Sequence, residues 1–161
     1  MKAFQVKYPG VEVEVGHCMN LAKDLETKRY DLIITAKPDN NGQFVYLPLF
    51  EDQAVCILPH DHLLSIQPYI RLKDFGSFNL ISHTDKKNNG FYQSVLKPLE
   101  IHPKRFLNMS QPQAMIEMVA AGFGIAPFPR WAVHSLLEKH GLIERNITKG
   151  GFPLIWQAVF L

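Results

Sequence analysis

Gly122-Phe123-Gly124 could do chemistry, because glycines two apart can wrap a phosphate. A dinucleotide loop needs them after a strand and before a helix, and here the order is reversed. "QPQAMIEMVAA" carries the apolar stripe of a helix in Met115, Ile116, Met118 and Val119, and "GIAPF" reads as a strand. Gly122 fits the position just past a helix end, where left-handed backbone is needed, and Gly124 opens the strand. No G-x-x-x-x-G-K-[ST] occurs. The glycines punctuate the chain.

Seven histidines raise other chemistry. His60-Asp61-His62 could set two imidazoles on one side of a strand to clamp a metal. A third ligand is missing from the pattern and Pro59 points to a loop, so no metal is expected. His83 could act as a base; its plainer role is a hydrogen bond to ligand or backbone. His17-Cys18 suggests a thiolate pair, but neighbours on a strand face opposite ways. There is no H-E-x-x-H, no G-x-S-x-G and no acid pair in a glycosidase setting. No enzyme activity and no cofactor are expected.

A binding site is better supported. In open α/β sheets, ligands bind beyond the carboxyl ends of the strands. Those ends are Thr35-Ala36 after "DLII", Ser82-His83-Thr84 after "FNLI", Ser110-Gln111 after "RFLNM", and Phe128 after "GIAP". Most are uncharged hydrogen-bonding groups. Ser110 and Gln113 have the spacing of a capping box with Pro112 in the first turn, so helix N–H groups there suit a carboxylate. Together they suggest a small, polar, anionic metabolite; singly, each is equally well a cap or a turn.

The elements behind these ends alternate. "VEVEV" (11–15) has strand period, "NLAKDLETKRY" gives a helix with Leu21, Ala22, Leu25 and Tyr30 on one face behind an Asn20 cap, and "DLIIT" (31–35) is a buried strand. That spacing predicts a βαβ unit with parallel pairing. "FVYLPLFED" and "QAVCILP" predict two further strands, "FNLIS", "KRFLNM", "LIERNI" and "PLIWQAVFL" four more, and "FYQSVLKPL" and "RWAVHSLLEKH" helices. The class is α/β with a mostly parallel sheet, and two lobes joined by two crossings are at least as plausible as one compact sheet.

Composition excludes little else. A net charge of +2 is too small to imply nucleic acid or an anionic membrane as a direct partner of this stretch. "TDKKNNG" reads as a solvated loop. Cys18 and Cys56 are expected to be free thiols, and with no membrane span or signal peptide the cytoplasm is expected.

The motifs "YPGVEVEVG", "DLETKRYDLIIT", "LPLFEDQAVCILPHDHLLS", "IRLKDF", "IEMVAAGFGIAPFPRWAV" and "HGLI" resemble, in order and spacing, the effector-binding domain of LysR-type bacterial transcriptional regulators. His62-Leu63 stands where that family has His-Pro, and Phe128-Pro129 where it has Leu-Pro. "IEMVAAGFGIAPFPRWAVHSLLEKHGLI" is similar to the branch that regulates methionine biosynthesis, which implies homocysteine as effector. The resemblance implies two Rossmann-like lobes of the type 2 periplasmic-binding-protein plan, joined by two hinge crossings. Lobe I would be 1–59 with 142–161 and lobe II 60–141, with effector in the cleft between them. It assigns effector contacts to Thr35 and Ala36 from lobe I, and to Ser82, His83, Ser110, Gln111 and Phe128 from lobe II. It also implies a homodimer or homotetramer, with helices 20–29 and 91–99 as contact faces. DNA would be bound only through a helix-turn-helix domain that has no counterpart here, so the chain is expected to be truncated at both ends. The alternatives are a free solute-binding protein for a small amino acid or carboxylate, and a small enzyme built around His83.

Overall fold

The structure is a computed structural model and describes residues 2–16, 18, 20–36 and 42–161. Its contacts divide the chain into one unit of Met1–Pro48 with Gln157–Leu161, and another of Leu49–Trp156.

In the first unit, α1 (Lys2–Lys7) is exposed along its length. Helix α2 (Leu21–Glu26) starts at Asn20, whose Oδ1 accepts from Lys23 N at 3.1 Å while Asn20 N donates to Asp24 Oδ2 at 3.3 Å. Two amides of the first turn are thereby satisfied. The helix stops early, because Lys28 turns left-handed at φ 56. Leu25, Ile33, Phe44 and Val159 form the core, with Leu21, Ala22 and Tyr30 packed against it, so the expected helical face holds. Strand β1 (Ile33–Thr35) runs antiparallel to β8 (Pro153–Phe160), pairing Ile33 with Val159 and Thr35 with Gln157. The expected βαβ unit is not formed. Residues 11–16 carry strand alternation but no strand, and they lie largely exposed. Alternation records a half-exposed face, and without a paired edge it does not make a strand.

The second unit is built on the part of β2 (Val45–Pro59) from Leu49 onward, and β2 is one strand where two were expected. Pro48 suggests a break, yet it is exposed, and proline is tolerated where no ladder N–H is needed. Beside β2 run β6 (Ala126–Pro129) and β7 (Leu142–Ile147), both antiparallel, and β3 (Tyr69–Ile70) runs parallel to β7. A parallel pair, β4 (Leu80–Ser82) and β5 (Phe106–Asn108), adjoins β6 through a parallel bridge from Leu80 to Ile125. The pairing is thus mixed and not mostly parallel. A continuous apolar run such as Val55–Leu58 reports burial on both faces, not strand direction. Val55 and Ile57 join α3 (Pro112–Ala120) through Met115, Ile116 and Val119, while Cys56 and Leu58 pack with Ile70, Phe75, Leu80 and Tyr92 on the other face.

The helix expected near 91–99 becomes a π-helical turn, Tyr92–Leu96, then a 3-10 turn, Lys97–Leu99. Pro98 has no N–H to continue an α-helical ladder. "RWAVHSLLEKH" likewise yields only a short α4 (Arg130–Val133) followed by 3-10 turns. Phe50, Trp131 and Trp156 form an aromatic group with ring centroids 5.6 to 6.3 Å apart. Cys18 and Cys56 are free thiols. Among the described residues no helix is long and apolar enough to cross a membrane.

Candidate functional site

The parallel β4–β5 pair brings two of the expected strand ends side by side. Ser82 lies in register with Asn108, and Met109 N donates to Ser82 O at 2.8 Å. Ser110 and Gln111 follow directly and lead into α3. Ser82, His83, Ser110 and Gln111 therefore belong to one end of one strand pair. His83, Ser110 and Gln111 are exposed there, whereas Ser82 is only 4 % exposed.

The expected capping box at Ser110 does not form. Gln111 is the N-cap, at φ -119 and ψ 134, with no side-chain cap bond. A residue before proline is driven to extended backbone, so Pro112 bars residue 111 from the helix and starts α3 one position late. The first intrahelical bond runs from Met115 N to Gln111 O at 3.2 Å. The amides of Gln113 and Ala114 thus have no partner inside the helix, and the positive end of α3 faces the same tip.

The Phe128 side chain is 7 % exposed and belongs to the core with Val55, Ile81, Met115 and Val133. The end of a strand does not tell which face a side chain takes. Thr35 and Ala36 end β1 in the first unit, both half-buried, with Thr35 paired to Gln157.

One residue that matters at this tip, Asn89, lies in the loop read as merely solvated. Asn89, 9 % exposed, donates from Nδ2 to Ser82 Oγ at 2.7 Å and accepts at Oδ1 from Tyr92 N at 2.7 Å. Thr84 N donates to Ser82 Oγ at 3.1 Å. An asparagine just ahead of the apolar "GFYQSV" is a helix-start signal, and that signal would have found Asn89.

The other candidates have local tasks. His60 Nδ1 lies 3.2 Å from Gly141 O, and His62 Nδ1 accepts from Leu64 N at 3.1 Å while its ring lies 4.7 Å from that of Phe78. Burial, then a hydrogen bond to Asp24, pushes the Cys18 thiol up and keeps it protonated. His17, its proposed partner, lies outside the described residues. Arg130 Nε meets Glu144 at 2.7 Å and Nη2 meets Asn146 at 2.8 Å, with the Gln53 amide oxygen against the same guanidinium. Open depressions of about 470 and 380 Å³ flank Arg130, and neither is lined by a strand-tip residue.

Comparison with known proteins agrees with this plan. The HTH-type transcriptional regulator MetR of Buchnera aphidicola subsp. Schizaphis graminum is 28% identical over 164 residues, covering 99% of this chain and 51% of the relative. MetR of Haemophilus influenzae is 30% identical over 128 residues, covering 79% of this chain and 41% of that protein. The chain spans about half the length of the curated relatives it matches. Among solved structures, the regulatory domain of MetR, a LysR family regulator from N. meningitidis, superposes with a TM-score of 0.82 at 28% identity, covering 99% of this chain and 75% of that one. The Synechocystis PCC6803 CcmR regulatory domain, solved in complex with 2-PG, shares the fold with a TM-score of 0.84 at 20% identity, covering 99% and 78%. These relatives are named as regulators rather than enzymes. The LysR substrate binding domain profile matches residues 1–161, and the chain belongs to that family.

Proposed function

We propose that this chain is the effector-sensing part of a LysR-type transcriptional regulator and binds a small anionic metabolite, with homocysteine as the first candidate. The observation that carries the reading is the parallel β4–β5 pair, which sets Ser82 and His83 beside Ser110, Gln111 and the N-terminus of α3. Uncharged donors and the positive end of a helix suit a carboxylate. The MetR name of several relatives supports homocysteine, since that branch regulates methionine biosynthesis. Thr35 and Ala36 are proposed as effector contacts from the first lobe, within the limits 1–59 with 142–161 and 60–141.

In this reading effector binding changes how DNA-reading domains elsewhere in the full-length homodimer or homotetramer sit on their operator. Titration calorimetry of the full-length protein with L-homocysteine tests the ligand, and an operator-binding assay with and without it tests the coupling. Saturable heat and a changed operator affinity are expected. Heat from another metabolite but none from homocysteine would reject the methionine-branch assignment; turnover of a bound amino acid would reject the sensor.

A further inference from the structure

Behind the tip of β4 lies a chain of three polar side chains whose donors and acceptors can be assigned one by one. The Tyr92 N–H, 2.7 Å from Asn89 Oδ1, can only donate, so the amide oxygen faces Tyr92 and the amide nitrogen faces Ser82. Asn89 Nδ2 donates to Ser82 Oγ at 2.7 Å, and Thr84 N donates to the same oxygen at 3.1 Å. A hydroxyl oxygen has two lone pairs, and both are taken. The Ser82 proton has one neighbour left, Thr84 Oγ1 at 3.3 Å. Thr84 accepts it, and its own proton points out of the chain. Among the described residues Thr84 Oγ1 has no other partner. Ser82 and Asn89 are 4 % and 9 % exposed, while Thr84 is half-buried.

We propose that Asn89 is a positioning residue for effector recognition. Its buried amide sets the direction of the Asn89–Ser82–Thr84 chain, so that the Thr84 hydroxyl keeps its proton available to the ligand. A carboxylate takes that proton, whereas an ammonium leaves it unsatisfied. The amides at the start of α3 have the same polarity. The inference rests on the reading of this tip as the effector site.

The test uses the full-length protein, calorimetry and two probes, L-homocysteine and its methyl ester, which lacks the carboxylate charge. Thr84→Val should weaken homocysteine binding roughly ten- to a hundredfold, the loss expected for one hydrogen bond to a charged group, and Thr84→Ser should restore it. Asn89→Asp keeps an acceptor for Tyr92 N–H but puts an acceptor against Ser82. Ser82 then donates inward and frees a lone pair that competes with the ligand for the Thr84 proton. The preference for acid over ester should narrow by a similar factor, and Asn89→Asp should add nothing in the Thr84→Val background. An Asn89→Asp effect undiminished in that background would be plain charge repulsion or damage and would overturn the inference. So would a folded Thr84→Val variant that binds homocysteine like the wild type. A wild type that binds neither probe would instead overturn the proposed function, and the inference would fall with it.

Discussion

Leu64 N–H ends on His62 Nδ1, which can accept only while it carries no proton. Burial disfavours the charged ring and lowers its pKa, against a weaker opposite pull from Asp61. In the unfolded chain a histidine titrates near its ordinary 6.5, so on acidification the unfolded state takes up the proton first. This contribution is complete above that pH and is lost as pH falls from it toward the lowered folded value. We predict that the melting temperature drops between pH 7 and pH 5, and that His62→Asn, which keeps an acceptor for Leu64 but does not titrate there, removes part of that slope. An identical slope in the variant would place the titration elsewhere. At this scale the proposed binding tip was partly legible. Ser82 and His83 follow an unmistakable apolar run, whereas the inward turn of Phe128 and the burial of Asn89 come from packing that no local pattern records.

Gly124 shows how tightly two elements meet. A Cβ there would lie 2.5 Å from Asn79 O, a backbone atom that cannot swing aside, and Asn79 also donates from Nδ2 to Phe123 O at 2.8 Å. Gly124→Ala should therefore push β6 away from β4 and cost about 1–3 kcal/mol, read as a lower urea midpoint with an unchanged slope. An unaltered midpoint would show that the junction yields freely. Gly122, at φ +77, ends α3 as its place in the sequence implies. Helix α3, β4, β5 and β7 were legible because each has a clear apolar period or run between turn residues. Strand direction was not, since burial on both faces gives the same pattern in either sense. At 91–99, Pro98 lacks the N–H that would continue an α-helical ladder.

For the whole molecule, a sensor must prefer one arrangement of its parts; moving an equilibrium from mostly off to mostly on takes about 5.5 kcal/mol of differential affinity. The proposed assembly makes a separate claim. Leu99, 56% exposed at the end of the 91–99 segment, belongs to a proposed contact face, and Leu99→Glu should shift the full-length protein to a smaller species in sedimentation. An unchanged sedimentation profile would move the contact away from that segment. The aromatic group has a consequence for such experiments. Both tryptophans of the chain, Trp131 and Trp156, lie within Leu49–Trp156 with their rings 5.6 Å apart. Indole emission therefore witnesses the melting of that part alone, while far-ultraviolet ellipticity averages over every peptide. Noncoincident traces from the two signals would reveal that the pieces come apart in sequence, without any label being attached.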